Sequence, residues 1–201
     1  MNFWVRRWPR SAWWAANTAA HLAYARGADG ISAFNFVYYR EHGGAERGPF
    51  QEPPFEVFKR LRDRNWLARQ PQHYFLSTGF TCPYIKTKVL PKRLKAGQVA
   101  EFALDLAPPA GGWKLGGRLR IQSLAAFDQS RFSAKLNGAE LAASADVAEH
   151  GPIFNPCLLG TPEQLRAWTV PTSALRDGVN KLEIKLLTGA AEIAFLDLVL
   201  A

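Results

Sequence analysis

The sequence predicts a mainly β protein, an antiparallel β-sandwich preceded by an N-terminal α/β segment. Three observations predict it. Helical spacing of apolar residues stops near Tyr74, and seven short candidate strands follow it. Asn137-Gly138 and Asp177-Gly178 interrupt those strands as tight-turn pairs, because Asn, Asp and Gly tolerate positive φ. Leu182-Glu183-Ile184-Lys185-Leu186 alternates cleanly, as a strand with one buried and one wet face must.

The elements follow in order. Ser11 is placed to cap a first helix and Gly27 to end it. Between them Trp13, Trp14, Asn17, Ala20, His21 and Tyr24 recur at helical spacing, on a face small enough to pack closely on a sheet. Gly27-Ala28-Asp29-Gly30 is a tight connection, with Asp29 suited to bonding nearby backbone N–H groups. Residues 31–37 form a near-continuous apolar run, which suits a parallel strand covered on both faces. A glycine-rich loop runs from His42 to Pro53. Pro53-Pro54 then opens a helix with Phe55, Phe58 and Leu61 as its buried stripe. Arg62, Asp63 and Arg64 break it, and Trp66 and Leu67 anchor a last turn before Pro71. This helix–strand–loop–helix order is α/β grammar. The expected strands are 74–77, 99–106, 118–123, 132–136, 165–170, 181–187 and 192–200.

Composition bounds the function. The 201 residues are 48% hydrophobic with 7 Trp and 13 Phe, enough for a sizeable core. The net charge of +8 is uneven: 16 basic residues face 6 acidic ones in residues 1–95, and 9 face 11 thereafter. Lys59, Arg60, Arg62, Arg64 and Arg69 cluster in one amphipathic segment, which reads as a solvated helix face. No nucleic-acid motif accompanies the charge, so no nucleic-acid partner is expected. No stretch is apolar enough to span a membrane. Arg6, Arg7 and Arg10 before an Ala-rich run imitate a signal peptide, but Asn17, Thr18 and His21 interrupt its apolar core, so localisation stays open. Cys82 and Cys157 fit either one disulfide or two buried thiols. Neither they nor His73 and His150 have metal-ligand spacing, and His21 reads as a packing residue. There is no Gly-x-Ser-x-Gly elbow, and Gly43-Gly44 lacks the Lys-Ser/Thr of a phosphate loop. No metal or cofactor is expected.

Residues 19–42, AAHLAYARGADGISAFNFVYYREH, resemble the end of the barrel in glycoside-hydrolase-like TIM-barrel proteins. PPFEVFKRLRDRNWLARQPQHYFL resembles the closing helix and exit of such barrels. LNGAEL and VPTSALRDGVNKLEIKL are similar to the galactose-binding-like sandwich appended to those enzymes. The resemblance implies two parts: residues 1–73 as the last β/α unit of an incomplete TIM barrel, and residues 74–201 as an accessory jelly-roll sandwich. A closed barrel needs eight such units. A lone parallel strand exposes edges and an apolar face, so this segment is expected to pair with a barrel-completing chain, to form a homo-oligomer, or to pack on its own sandwich.

Barrel chemistry sits at the C-terminal ends of strands. The resemblance therefore implies a substrate-lining cluster of Asn35, Tyr38, Tyr39, Arg40 and His42, with Glu41 as a weak catalytic candidate. Hydrolysis of a glycoside needs two carboxylates about 5–10 Å apart. Asp29 lies at the wrong end of the strand, and Glu46 and Glu52 sit in the long loop. Within the sandwich, Trp168 reads as core, core is the default for Phe127, and Arg131 is a lesser polar candidate. Trp113, in Gly111-Gly112-Trp113, is the glycan-contact candidate. The expected function is a non-catalytic C-terminal portion of a carbohydrate-active protein. The alternatives are a hydrolase completed by a partner chain and a stand-alone lectin-like module.

Overall fold

The computed structural model describes residues 10–32, 56–77, 89–148 and 160–200. Among these the protein is mainly antiparallel β with few helices. The α-helices are α1 (Arg10–Ala25), α2 (Glu56–Leu61) and α3 (Arg64–Leu67), and 3-10 turns span Pro162–Gln164 and Thr172–Ala174. The strands are β1 (Gln72–Ser77), β2 (Lys92–Lys95), β3 (Val99–Leu106), β4 (Gly117–Gln122), β5 (Arg131–Leu136), β6 (Ala139–Glu140), β7 (Ala142–Ser144), β8 (Leu165–Val170), β9 (Gly178–Thr188), β10 (Ala190–Ile193) and β11 (Phe195–Leu200). No described helix is long and apolar enough to cross a membrane.

One sheet has five strands in the order β1-β11-β4-β8-β7, and a second has four in the order β3-β9-β5-β6. A two-stranded ribbon pairs β10 with β2. Period-2 alternation turns one set of side chains from each large sheet inward. Leu119, Ile121, Trp168, Leu196 and Leu198 from the first meet Phe102, Leu104, Leu136, Leu182 and Ile184 from the second in one buried cluster. Two sheets sharing one apolar layer are the arrangement of a β-sandwich. Each such side chain contributes about 1.5–3 kcal/mol of transfer free energy when fully buried.

The turn chemistry acts as expected. Asn137 and Gly138 both have positive φ, 52° and 85°, and join β5 to β6 by a two-residue loop. Gly178 has φ 92° at the start of β9. Asn180, fully buried, accepts from the Asn137 amide and the Arg176 N–H and donates to the carbonyls of Arg176 and Gly178. That satisfies a polar group which would otherwise oppose burial.

The helix α1 starts at Arg10, so Ser11 lies inside its first turn rather than before it. Its end matches expectation. Gly27 has φ 92°; its N–H donates to the Tyr24 carbonyl, and the Ala28 N–H to the Ala23 carbonyl. This pair of bonds is a Schellman motif. The apolar face of α1 packs with α2 and α3 through Ala20, Leu61 and Leu67. Asp63 caps α3 by accepting from the Trp66 N–H at 2.9 Å. Lys59, Arg60, Arg62, Arg64 and Arg69 are exposed, as a solvated face requires.

Two strand expectations need correction. Residues 192–200 are not one strand. The chain breaks at Ala194, whose N–H donates to the Gln122 carbonyl, and this passes it from the ribbon to the five-stranded sheet. The strands β2, β6 and β7 were also not expected, being only four, two and three residues long. Of the expected strand at 31–37, all beyond Ser32 lies outside the described residues, and Ile31 and Ser32 are not in a strand.

Candidate functional site

The outer face of the five-stranded sheet carries unusual chemistry. The register sets His73 opposite Val199, Phe75 opposite Asp197, and Arg120 opposite Asp197 on the other side. Alternation therefore turns His73, Phe75, Arg118, Arg120, Gln122, Phe195 and Asp197 away from the sandwich core. A sheet face pointing outward is normally wet. Here its centre is closed, though Phe75 at the rim is exposed: Asp197 is 1% exposed, Arg120 2% and His73 9%.

A buried carboxylate must be paired. Arg120 approaches Asp197 in a fork, with Nη2 at 2.7 Å from Oδ2 and Nε at 3.1 Å from Oδ1. His73 completes the cluster, its Nε2–H donating to Oδ2 at 3.2 Å. Burial alone would raise the Asp197 carboxyl. The hydrogen bonds from His73 and Arg120, with the guanidinium charge, outweigh it and hold the group below the usual carboxylate range. A carboxylate so committed stays ionised and accepts; it is not poised to donate a proton.

Neighbouring groups tie other segments to this face. Arg120 also donates to the carbonyls of Val147 and Ala148, and Arg118 to those of Asp146 and Ala148. Arg118 further pairs with the Asp146 carboxylate at 2.6 Å. The helix α1 docks on β1: the Thr18 hydroxyl accepts from the His73 N–H at 2.8 Å while donating to the Trp14 carbonyl at 2.7 Å. His21 on the same helix face bonds the Pro108 carbonyl at 3.0 Å and is a satisfied packing residue, as expected. At the far end Arg26 grips both oxygens of Asp105, reaches Asp177 at 2.9 Å and donates to the Leu106 carbonyl. The carboxylates raise its pKa further.

Trp113 lies elsewhere. It lines a half-open cleft of about 270 Å³ between residues 68–72 and 109–114, with Leu200 also on its wall. The indole is half-buried and packs against the sandwich core. Its Nε1–H donates to Gln72 Oε1 at 3.1 Å, and Gln72 Nε2–H donates to the Ala107 carbonyl at 2.8 Å. The Ala110 N–H donates to the Ala68 carbonyl and ties the two lining segments together. Trp113 is thus neither a free loop side chain nor core. Trp168 and Phe127 are core, and Arg131 is exposed. Asn35, Tyr38, Tyr39, Arg40, Glu41 and His42 lie outside the described residues, as do Glu46, Glu52, His150 and both cysteines. No group of three or more metal-ligating side chains gathers among the described residues.

Sequence reading missed the His73–Asp197–Arg120 cluster, because its members are spread over 124 positions. Two signals were present. Asp197 stands alone in the apolar run Phe195-Leu196-Asp197-Leu198-Val199-Leu200, and Arg118 and Arg120 share one face of β4.

No protein-family model and no curated protein matches the chain. Among solved structures it is similar to a β-porphyranase of glycoside hydrolase family 86 from the human gut bacterium Bacteroides plebeius, with TM-score 0.41 and 12% identity over 65% of this chain and 20% of that one. It is also similar to a GH86 protein in complex with neoagarooctaose, with TM-score 0.37 and 12% identity over 64% of this chain and 18% of that one. The chain spans about a fifth of the length of these structures.

Proposed function

We propose that this chain is a non-catalytic C-terminal portion of a carbohydrate-active, glycoside-hydrolase-like protein. Residues 1–73 are the last unit of a β/α barrel, and residues 74–201 are a galactose-binding-like jelly-roll sandwich. The sandwich is an accessory part: its open edge, between β1 of one sheet and β3 of the other, is a seat for the N-terminal helix α1. The observation that carries this reading is the buried Arg120–Asp197–His73 cluster, with α1 bonded to its strand through Thr18. A catalytic acid pair must flank an accessible bond. Asp197 instead spends its lone pairs on a fork and an imidazole, and α1 docks beside it.

The test is hydrolysis by the purified chain on neoagarooctaose and a panel of polysaccharides, read as new reducing ends. The expected result is none, unchanged in Glu41→Gln. Turnover that Glu41→Gln abolishes would overturn the reading. Turnover that appears only with a co-purifying chain would favour the runner-up, an enzyme completed by a partner. The cleft at Trp113 supports a weak glycan contact within the accessory role.

A further inference from the structure

The cleft beside Trp113 has features that packing alone does not require. Its walls come from two chain segments, the α3–β1 connector and the loop after β3. One hydrogen-bonded chain, from the Trp113 indole through the Gln72 amide to the Ala107 carbonyl, fixes the ring. A ring held this way loses little freedom when something stacks on it. Gly112, at φ 75°, turns the backbone there and presents no side chain to the cleft.

Charge supplies the second feature. Arg69 belongs to the first lining segment and Lys114 to the second, and both are exposed. Among the described residues neither makes an ion pair, unlike Arg26, Arg93, Arg118, Arg120 and Lys181. An aromatic wall with two uncommitted cations selects a flat, partly apolar, negatively charged ligand. The size limits it further. A volume of about 270 Å³ lies below the ~300–1,000 Å³ of pockets for drug-sized ligands, so one ring fits.

We propose that this cleft binds a single pyranose ring bearing a carboxylate or sulfate group, stacked on Trp113 with its anion between Arg69 and Lys114. The inference rests on the carbohydrate reading above and names its ligand class. Affinity is millimolar, since the site is shallow and the cations are exposed to solvent.

The test is a two-dimensional ¹⁵N NMR titration of the full chain, following the Trp113 indole and Gln72 side-chain amide resonances. Glucuronate and a galactose sulfate are the probes, with neutral galactose and inorganic sulfate as controls. Both anionic sugars, or one of them, should move these two resonances saturably, and neither control should match them. The double variant Arg69→Gln, Lys114→Gln alters only exposed side chains and should keep its melting temperature. It should bind the anionic sugar about tenfold more weakly at low salt. Equal response to galactose would overturn the anionic class, and equal response to inorganic sulfate would overturn the saccharide. Binding that moves other resonances but not these two would refute the cleft and leave the carbohydrate reading standing. No response anywhere to any sugar would count against both.

Discussion

The substitution Asp197→Asn keeps the side chain's shape and removes its charge. It leaves Arg120, 2% exposed, with an amide where a carboxylate met it at 2.7 and 3.1 Å. Breaking one partner from a buried ion pair costs about 3–5 kcal/mol, because the remaining charge is stranded. For a chain of this size each kcal/mol lowers the melting temperature by about 2–4 °C, so the expected fall is about 6–20 °C. Thermal unfolding by circular dichroism measures it. A double-mutant cycle with Arg120→Met isolates the pair, because Arg120 also holds the Val147 and Ala148 carbonyls. The two single losses should exceed the double loss by about 2 kcal/mol. The pH dependence has a definite sign. Asp197 is depressed in the folded state, so its stabilisation is complete above the unfolded carboxyl value, about 4, and is lost as pH falls through the folded value. The gap between wild type and Asp197→Asn should therefore narrow on acidification. A loss below about 1 kcal/mol, or strict additivity in the cycle, would refute the reasoning.

Further expectations concern other sites. Burial pushes the Tyr74 hydroxyl up to about 12. Its phenolate absorbance should appear late in an alkaline titration and vanish in Tyr74→Phe; because the folded value is raised, the stability it confers drains as pH climbs above the unfolded value, about 10. In Gly117→Ala, at the start of the central strand β4, the new Cβ would meet the Val199 carbonyl and Leu200, and a denaturant melt should show a loss of about 1–3 kcal/mol. Asn137→Ala removes a left-handed turn residue and its bonds to Ala174, Asn180 and Lys181. A loss of about 1–3 kcal/mol, read the same way, is expected.

Much of the sandwich was legible because its signals are local. The Asn137-Gly138 hairpin and the alternation in β9 each depend on neighbours in sequence. The end of α1 was legible for the same reason: one glycine with positive φ carries the motif. Short strands were not legible, since β6 and β7 exist through pairing with β5 and β8 and carry too few residues for a pattern. Trp113 stood out as a glycan-contact candidate by its glycine neighbours, but that it is half-buried and held by Gln72, a contact across 41 positions, was not legible. The Asp197 cluster was hidden by register. Nothing near His73 or Arg120 in sequence names their common partner; only the pairing of β1, β11 and β4 sets them on one face.

Native-state hydrogen exchange is the most direct probe of the seat that the sandwich edge, β1 and the end of β3, offers α1. If the helix is an integral layer, amides of residues 16–24 should open only with the strands β4 and β11, at free energies within about 1 kcal/mol of global unfolding, and Asp197→Asn should lower both together. Exchange of the helix at far lower free energy, with the strands still protected and the helix untouched by Asp197→Asn, would contradict the account.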